Sequence, residues 1–461
     1  MNNERSTATL LRMPATRGLI GAPSPTEPTR VPLGDVTPGR VRQLAERVSD
    51  QLVEWVRNQP RQPDSMTREA YAAKLVADEL ERDDHDTITH GGRPMNDATV
   101  LELRRAILAV LFRPAGAIDH LLERVDVTNV HIHDTVAWLE KTDGTTVCYG
   151  PIAENSEQVI DMIRRLSATN GRTPRLFTES SPMLTMRLSG GQRLSAVMGV
   201  SSRIEATIRL KTLRNVTVDD LVKLGTINEL GADFCAALVT GRFNFVVSGG
   251  PNAGKTTTLI ALCNLIPTDE RIVTIEDVAE LDLRSDRRPQ VVDLETRQAN
   301  VEGVGEITQE DLARHALRLS PKRVIVGEVR GAEVQSMCAA MTMGLDGSAC
   351  TVHAESSEGA LTRLRMYLGE ALRTTSSSVL TDRIAQSVNF VIHVEFDRVS
   401  RARRIVSIRE VVGSHEADFI TTEIMALSPR NELTVVGAIS DRTRRKLDAV
   451  GFDTRRLAGT R

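Results

Sequence analysis

The sequence predicts an α/β protein whose largest domain contains a parallel sheet flanked by helices. Two features predict this fold class. Short apolar strands alternate with helical segments between residues 213 and 415, an alternation typical of parallel sheets with helical crossovers. One of these strands runs directly into a glycine-rich loop at residues 249–257, and a helical segment follows the loop. We therefore assign residues 213–461 to one α/β domain that ends with additional strands and a helix.

The composition indicates ordinary hydrophobic cores and no strong attraction to polyanions. Hydrophobic residues make up 41% of the 461 residues, and the formal net charge is −3. Aromatic residues make up only 3%, so stacking on nucleobases is not expected as a main activity. Because the charge is also nearly balanced, a nucleic-acid partner is not expected.

Cysteine usage and hydropathy together predict a cytoplasmic protein. The five cysteines are widely spaced and form no C-x-x-C pair, which favours reduced, buried thiols. The sequence contains no apolar run of membrane-spanning length, and its first residues lack an apolar signal segment. We therefore expect any role at a membrane to depend on partner proteins.

Two segments precede the domains that contain strands. Residues 1–35 are rich in Ser, Thr, Pro and Gly without periodicity, and we interpret them as a disordered tail. Residues 36–114 are predicted to form a small helical module, with a second helix at about 66–83 and a third from about Asp97 towards Pro114. Its first helix has an apolar stripe at three- and four-residue steps, namely Val41, Leu44, Val48, Leu52 and Val56.

Residues 115–212 are predicted to form an α+β N-terminal domain. Strands are predicted at 130–133 and 136–140, and Asp143-Gly144 is a turn signal before a third strand at 146–149. A helix is predicted at about 155–169. Three more strands are predicted at 183–188, 193–198 and 205–211.

Apolar runs and capping residues place the elements of the α/β domain. Strands are predicted at 243–247, 271–275, 323–326 and 349–352, and helices at 256–266 and 308–319. Thr308 and Asp311 have the spacing of a capping box. The later strands at 389–396 and 404–412 are predicted to be antiparallel, and a last helix is expected at about 439–457.

The loop at residues 249–257 matches the phosphate-loop pattern G-x-x-x-x-G-K-[ST]. Its glycines let backbone N–H groups turn towards phosphate oxygens, and Lys255 adds positive charge near the β and γ phosphates. The hydroxyl of Thr256 is a candidate ligand of Mg²⁺. A strand precedes the loop and a helix follows it, so we predict binding of ATP with Mg²⁺. The predicted nucleotide-binding residues of the loop are Gly249, Gly250, Pro251, Asn252, Ala253, Gly254, Lys255, Thr256 and Thr257.

Two further strands of the α/β domain end in carboxylates. Strand 271–275 is followed by Glu276 and Asp277, and strand 323–326 leads to Glu328. The carboxyl ends of parallel strands form the ligand crevice, so Glu276 and Asp277 are candidates to orient the attacking water. Helix capping or a salt bridge is the alternative role. Glu328 is predicted to hold Mg²⁺ through water or to activate the nucleophile, and we favour Glu276 as the base and Glu328 as the ligand.

Histidines at two strand positions are candidates for different roles. His353 follows strand 349–352 and is a candidate to contact phosphate or relay its presence, with a hydrogen-bonded structural histidine as the alternative. No Cys or His lies near it at metal-ligand spacing. His131 and His133, followed by Asp134, would share one face of a strand. There we favour a solvated face over a metal site.

These motifs together resemble those of the CpaF/TadA-like ATPases of the type II/IV secretion superfamily. The resemblance covers most of residues 116–415, and its most specific stretch runs from Glu295 to Thr308 and continues through residues 316–331. The family's Asp box matches residues 274–281, and its His box matches residues 347–354. The resemblance implies a RecA-like ATPase domain, an N-terminal domain that closes over bound nucleotide, and a ring of six protomers.

The resemblance also implies that arginines of the N-terminal domain approach the phosphates. Arg193 and Arg209 match family positions of this kind, and Arg297 is a further candidate for phosphate or inter-subunit contact. An ordinary surface arginine is the alternative for each. The chain departs from the family pattern at Ala253 and at Pro251, which supplies no N–H to the loop.

The predicted function is that of an ATP-hydrolysing motor in type II/IV secretion or Tad-type pilus assembly. The resemblance implies a cytoplasmic homohexamer acting on polytopic platform proteins of the inner membrane. Two alternatives stay open: a nucleic-acid-translocating or conjugation-type ATPase, and a nucleotide-gated assembly component with little turnover.

Overall fold

The computed structural model describes residues 36–59, 65–112, 116–169, 176–188, 190–210, 216–297, 299 and 303–458. The disordered tail predicted for residues 1–35 lies outside these described residues. No helix in the described part of the chain is both long enough and apolar enough to cross a bilayer.

Three helices form the first part of the described chain, as predicted. They are α1 (Pro38–Arg57), α2 (Ser65–Thr89) and α3 (Asp97–Phe112). Thr37 caps α1, because its side chain accepts a hydrogen bond from the N–H of Arg40. The predicted stripe is the packed face of α1, where Leu44 and Val48 are buried against residues such as Ile107 of α3. The helices therefore bury a core of their own.

The next part of the chain is an antiparallel sheet with one helix. A short 3-10 helix, Gly116–Glu123, leads into it. The elements are β1 (Val127–His133), β2 (Val136–Lys141), β3 (Thr146–Pro151), α4 (Ser156–Thr169), β4 (Met183–Arg187), β5 (Arg193–Val197) and β6 (Glu205–Arg209). The strand order is β3-β2-β1-β6-β5-β4. Alternate residues of these strands are buried, so one face of the sheet packs into a core and the other remains open. The turn predicted at Asp143-Gly144 is present, with Gly144 at φ 78°.

The remaining residues form a doubly covered α/β domain. Its first elements are α5 (Val218–Lys223), α6 (Glu229–Thr240), β7 (Phe245–Gly249), α7 (Lys255–Cys263), β8 (Ile272–Glu276), β9 (Val291–Glu295), α8 (Gln309–Ala316), β10 (Arg323–Val329) and α9 (Glu333–Thr342). They are followed by β11 (Ala349–His353), α10 (Ser357–Ala371), α11 (Ser377–Ser387), β12 (Phe390–Phe396), β13 (Arg403–His415), β14 (Asp418–Leu427), β15 (Leu433–Val435), α12 (Asp441–Ala449) and the 3-10 helix Thr454–Leu457. The capping box predicted from Thr308 and Asp311 begins α8.

One large sheet organises this domain, in the order β15-β14-β13-β12-β7-β11-β10-β8-β9. The strands from β9 to β12 in that order are parallel, whereas β12 to β15 pair in antiparallel fashion. The predicted α/β class, with a RecA-like domain after an α+β domain and a helical module, is confirmed. All five residues of β7 are buried, and Phe245 and Val246 enter hydrophobic clusters on opposite faces.

This topology fixes where ligands can bind. The parallel strands β7, β11, β10 and β8 are neighbours, and their carboxyl ends lie along the same edge of the sheet. Such an edge forms the ligand crevice of open α/β sheets. The glycine-rich loop leaves this edge from the end of β7.

Candidate active site

The loop after β7 begins and ends with glycines that the geometry requires. A side chain at Gly249 would collide with the carbonyl oxygen of Val394 on the adjacent strand β12. Gly254 is the N-terminal cap of α7 and has φ 98°, a conformation that favours glycine. Pro251 and Asn252 form the exposed tip between them. The loop therefore leads directly into the N-terminus of a helix, an arrangement suited to binding an anion.

Lys255 is the first residue of α7 and is almost completely buried. Its Nζ donates to the carbonyl of Gly250 at 2.9 Å and lies 3.1 Å from Nδ1 of His353. Burial lowers the pKa of Lys255 to about 8, and the positive charge of Arg209 contributes in the same direction, against the opposing effect of Glu328. Thr256 and Thr257 follow in the first turn of α7 and are partly exposed. A phosphate group would replace a neutral carbonyl as the partner of this ammonium.

Glu328, near the end of β10, has one carboxylate oxygen that is engaged and one that is not. Its Oε2 accepts a hydrogen bond from Nη2 of Arg330 at 2.5 Å. Its Oε1 lies 2.9 Å from Nε2 of His353, but it accepts no hydrogen bond of normal geometry from the described residues although it is shielded from solvent. A shielded carboxylate oxygen without a donor is costly, and a cation or its bound water would satisfy it. Glu328 and the Thr256 hydroxyl therefore fit the oxygen ligands that Mg²⁺ uses beside phosphates.

His353, at the end of β11, connects the lysine and the carboxylate. Its two ring nitrogens lie 3.1 Å from Nζ of Lys255 and 2.9 Å from Oε1 of Glu328. Partial burial and the nearby Lys255 charge lower the pKa of this imidazole, so it is neutral at pH 7. Contact of His353 with phosphate remains a prediction, and a hydrogen-bonded structural histidine remains the alternative.

Glu276, the last residue of β8, is 4% exposed. Its Oε1 accepts backbone hydrogen bonds from Glu280 at 2.8 Å and from Leu281 at 2.9 Å. Burial raises the pKa of this carboxyl to about 7, although the two backbone N–H groups act in the opposite direction. The side chain anchors the loop after β8, and neither N–H group belongs to a helix, so this contact is not the helix capping considered above. Its role as a base remains a prediction.

A second line of polar contacts continues along the same edge of the sheet. Arg330, which binds Glu328, also lies 3.6 Å from Oδ2 of Asp277. The Thr296 hydroxyl donates to Oδ1 of Asp277 at 2.8 Å. The contacts thus run without interruption from the phosphate loop to the strand at the edge. No role was predicted for Arg330 from the sequence, although its position two residues after Glu328 at a strand end was an available signal.

Three arginines of the antiparallel sheet stand in one cross-strand row. Arg187 pairs with Arg193 across β4 and β5, and Arg193 pairs with Arg209 across β5 and β6. Arg187 lies 3.4 Å from Oδ1 of Asp282, and Arg193 lies 3.7 Å from Oε1 of Glu280. The row therefore faces the loop that Glu276 anchors. Arg187 was missed by the sequence analysis, and only the strand register reveals it.

Two other predicted features lie away from the phosphate loop. Nε of Arg297 donates to the carbonyl of Gly305 at 2.7 Å, beside the edge strand β9, so its predicted contact with phosphate or a neighbouring subunit remains a prediction. His131 lies 3.3 Å from Oε2 of Glu140, and His133 lies 2.5 Å from Oε2 of Glu205. The described residues contain no group of three or more side chains placed to hold a metal ion, and the preference for a solvated face at His131 and His133 remains a prediction.

Comparisons with known proteins place this geometry in a family. A sequence profile described as type II/IV secretion system protein matches residues 156–416. A Mycobacterium tuberculosis protein, provisionally named a conjugal transfer protein, is 36% identical over 335 residues, covering 70% of this chain and 92% of that protein. The conjugal transfer protein TrbB of Rhizobium radiobacter is 29% identical over 228 residues, covering 49% and 66%. Among solved structures, the Legionella pneumophila ATPase DotB has 16% identity and a TM-score of 0.46, covering 65% of this chain and 81% of that chain.

Proposed function

The chain belongs to the type II/IV secretion system protein family, and on this basis we propose that it is the ATP-hydrolysing motor of a secretion or Tad-type pilus assembly system. One observation carries the proposal. Lys255, His353 and Glu328 form a connected group at the ends of the neighbouring strands β7, β11 and β10. A phosphate-binding lysine and a carboxylate that can hold Mg²⁺ in one crevice are what phosphoryl transfer from ATP requires.

Each side chain has a role in this proposal. The loop N–H groups and Lys255 bind the phosphates of ATP, while Thr256 and Glu328 hold Mg²⁺. When bound, Mg²⁺ neutralises phosphate charge and so stabilises the transition state. Glu276 takes a proton from the attacking water, for which a pKa of about 7 is suitable. The neutral imidazole of His353 lies between the side chains of Lys255 and Glu328 and holds them in position.

Replacement of Lys255 tests the assignment. Lys255→Ala is expected to abolish ATP hydrolysis, measured as phosphate release, because no other described side chain has its position beside Gly250 and His353. Lys223→Ala is the matched control, since that lysine is exposed on α5 and, among the described residues, forms its ion pair with Asp220. Full turnover in Lys255→Ala would contradict the site assignment.

The cellular setting belongs to the same proposal. A cytoplasmic homohexamer would pass the motions of its domains to polytopic platform proteins in the inner membrane. The ion pairs between the arginine row and the loop after β8 support such motion, because they are partly exposed and long and therefore weak. Co-purification with polytopic platform proteins of the inner membrane would test the partnership.

The names of two relatives favour a second candidate, a conjugation-type ATPase that acts in DNA transfer. Both the Mycobacterium and the Rhizobium relatives are named as conjugal transfer proteins. Single-stranded DNA that stimulates ATP hydrolysis several-fold would support this candidate, and no stimulation would favour the secretion or pilus motor.

A nucleotide-gated component with little turnover is the third candidate, motivated by the missing N–H at Pro251. Measured turnover by the wild-type assembly separates it from both motors.

A further inference from the structure

Arg403, the first residue of β13, lies against the phosphate loop although it is far from it in sequence. Its Nε donates to the carbonyl oxygen of Asn252 at 3.0 Å. Its Cδ lies 3.2 Å from the point where a side chain on Gly254 would begin. Arg403 therefore covers the loop from its tip to the start of α7 and holds the tip in place.

The position of this guanidinium is fixed from its other side. Its central carbon lies 5.0 Å from the centre of the Phe396 ring, at the end of the neighbouring strand β12. A cation over an aromatic face is a favourable arrangement that leaves the N–H groups at its rim available. In the described part of the chain, no carboxylate pairs with Arg403, whereas its neighbour Arg404 lies 3.7 Å from Asp397.

The surroundings of Arg403 are positively charged. Partial burial and the charge of Arg209, from the antiparallel sheet, both lower the pKa of Arg403. Arg209 has the same effect on Lys255. Lys255 and Arg403 both contact the loop, and the charge of Arg209 acts on both of them. These three cations repel one another, and a bound anion would relieve the repulsion.

We propose that Arg403 is a further nucleotide-binding residue, which holds the tip of the phosphate loop through Asn252 and offers its free guanidinium nitrogens to the phosphates of the bound nucleotide. The reason lies in the loop itself. Pro251 removes one N–H donor from the lip, and a guanidinium supplies several donors in a planar array suited to phosphate. The inference rests on the proposed function, because it assumes that a nucleotide occupies the loop.

Titration calorimetry with ADP and with the slowly hydrolysed ATP analogue AMP-PNP, in the presence of Mg²⁺, tests the proposal. Arg403→Gln is expected to weaken the binding of both nucleotides about tenfold, the loss typical of one charge-assisted hydrogen bond. AMP, which lacks the outer phosphates, should be affected less than twofold. Arg404→Gln is the matched control, since it removes the same charge one residue away and is expected to change each Kd less than twofold.

The outcomes separate the two proposals. If Lys255→Ala binds nucleotide as tightly as the wild type, the proposed site itself is wrong. If Lys255→Ala loses binding while Arg403→Gln stays within twofold of the wild type, only the role of Arg403 is overturned. Equal weakening by Arg403→Gln and Arg404→Gln would also overturn it, because a general charge effect would then explain the loss.

Should Arg403→Gln fail to fold, Arg403→Lys replaces it. Lysine keeps the charge but lacks the Nε donor and the planar fork, and we expect at least threefold weaker binding. Wild-type affinity in Arg403→Lys would contradict the inference.

Discussion

Gly249 and Gly250 are adjacent residues of the phosphate loop, yet a side chain would meet very different surroundings at each. At Gly249 it would collide with the backbone of β12, which cannot move without disturbing the sheet. At Gly250 no atom lies within 4 Å. Gly249→Ala is therefore expected to lower the free energy of unfolding by about 1 to 3 kcal/mol and to impair nucleotide binding.

Gly250→Ala is the matched variant, and its free energy of unfolding should stay within about 0.5 kcal/mol of the wild type. Denaturant unfolding of both variants and the wild type checks the difference. Equal stability of the two variants would show that the close approach of Gly249 to Val394 does not constrain the loop.

Glu276 gives a prediction that depends on pH. Its pKa is about 7 in the folded chain, whereas a glutamate carboxyl in the unfolded chain has its ordinary pKa of 4.5. Between these values the folded chain holds a proton that the unfolded chain has released, so the contribution of Glu276 to stability falls as the pH rises through this window. Glu276→Gln keeps an oxygen for the N–H groups of Glu280 and Leu281 but carries no charge. The free energy of unfolding of this variant, measured relative to the wild type, should therefore increase by about 1 to 3 kcal/mol as the pH rises from 5 to 8.

The comparison is made by urea unfolding at the two pH values, and phosphate release is measured in parallel. If Glu276 is the base, turnover should also fall about a hundredfold or more. A constant stability difference would contradict the buried, protonated carboxyl. Normal turnover would leave Glu276 as the anchor of its loop and exclude it as the base.

At the residue scale, positions could be predicted where the pattern is local in sequence, whereas the chemical roles of these residues remain predictions. The phosphate loop, Glu276, Glu328 and His353 each follow a strand whose apolar run is visible, and the structure places all of them at one edge of the sheet. Arg187 and Arg403 were not found. Their partners, Asp282 and Asn252, are distant in sequence, so only strand register and tertiary packing bring them together.

At the scale of elements, β6 carries one arginine towards the site and has another just before its start. Arg209 ends the strand, and its charge acts on Lys255. Arg203 lies at the opposite end and donates to Glu205 at 2.6 Å. Arg209→Gln is expected to reduce kcat/KM for ATP about tenfold, because the transition state loses one nearby cation.

Arg203→Gln is the control for this variant, because its arginine has a partner of its own. Steady-state ATP hydrolysis with both variants makes the comparison. Equal kcat/KM values for Arg209→Gln and Arg203→Gln would contradict a role for Arg209 in catalysis.

Buried strands and capped helices were also predictable, whereas edge elements were not. Strand β7 is entirely buried and has a continuous apolar run, and α8 begins at a complete capping box. Strand β9 was not predicted, since only its first residue, Val291, is buried and its remaining residues are partly exposed. Its pairing with β8 comes from the backbone rather than from side-chain pattern. The predicted helix at 256–266 ends at Cys263, because Asn264 already caps it before Pro267.

At the scale of the whole molecule, the contacts between the antiparallel sheet and the ATPase domain are weak enough to change. The ion pairs Arg187–Asp282 and Arg193–Glu280 have separations of 3.4 and 3.7 Å and partly exposed side chains. Pairs of this kind contribute about 1 kcal/mol or less. A nucleotide that binds one arrangement of the domains more tightly than another can therefore shift their equilibrium. The predicted domain boundaries, at residues 35, 114 and 212, remain predictions.

The ring of six is the last prediction. The resemblance to the secretion ATPases implies it, and unpaired charges at the site indicate how nucleotide would act on it. Arg209 and Arg403 have no carboxylate partner within the described residues, and Arg297 is exposed beside the edge strand β9. Bound nucleotide would neutralise the cations of the site and so favour a compact subunit. We expect compact subunits to assemble more readily into a ring of six. Size-exclusion chromatography with light scattering is expected to give six times the mass of one chain with AMP-PNP and Mg²⁺. Arg297→Gln should weaken this assembly at micromolar concentration, whereas Arg314→Gln, whose arginine pairs with Glu310 on α8, should not. A strict monomer under all conditions would argue against the motor, because coordinated movement of neighbouring subunits would have no structural basis.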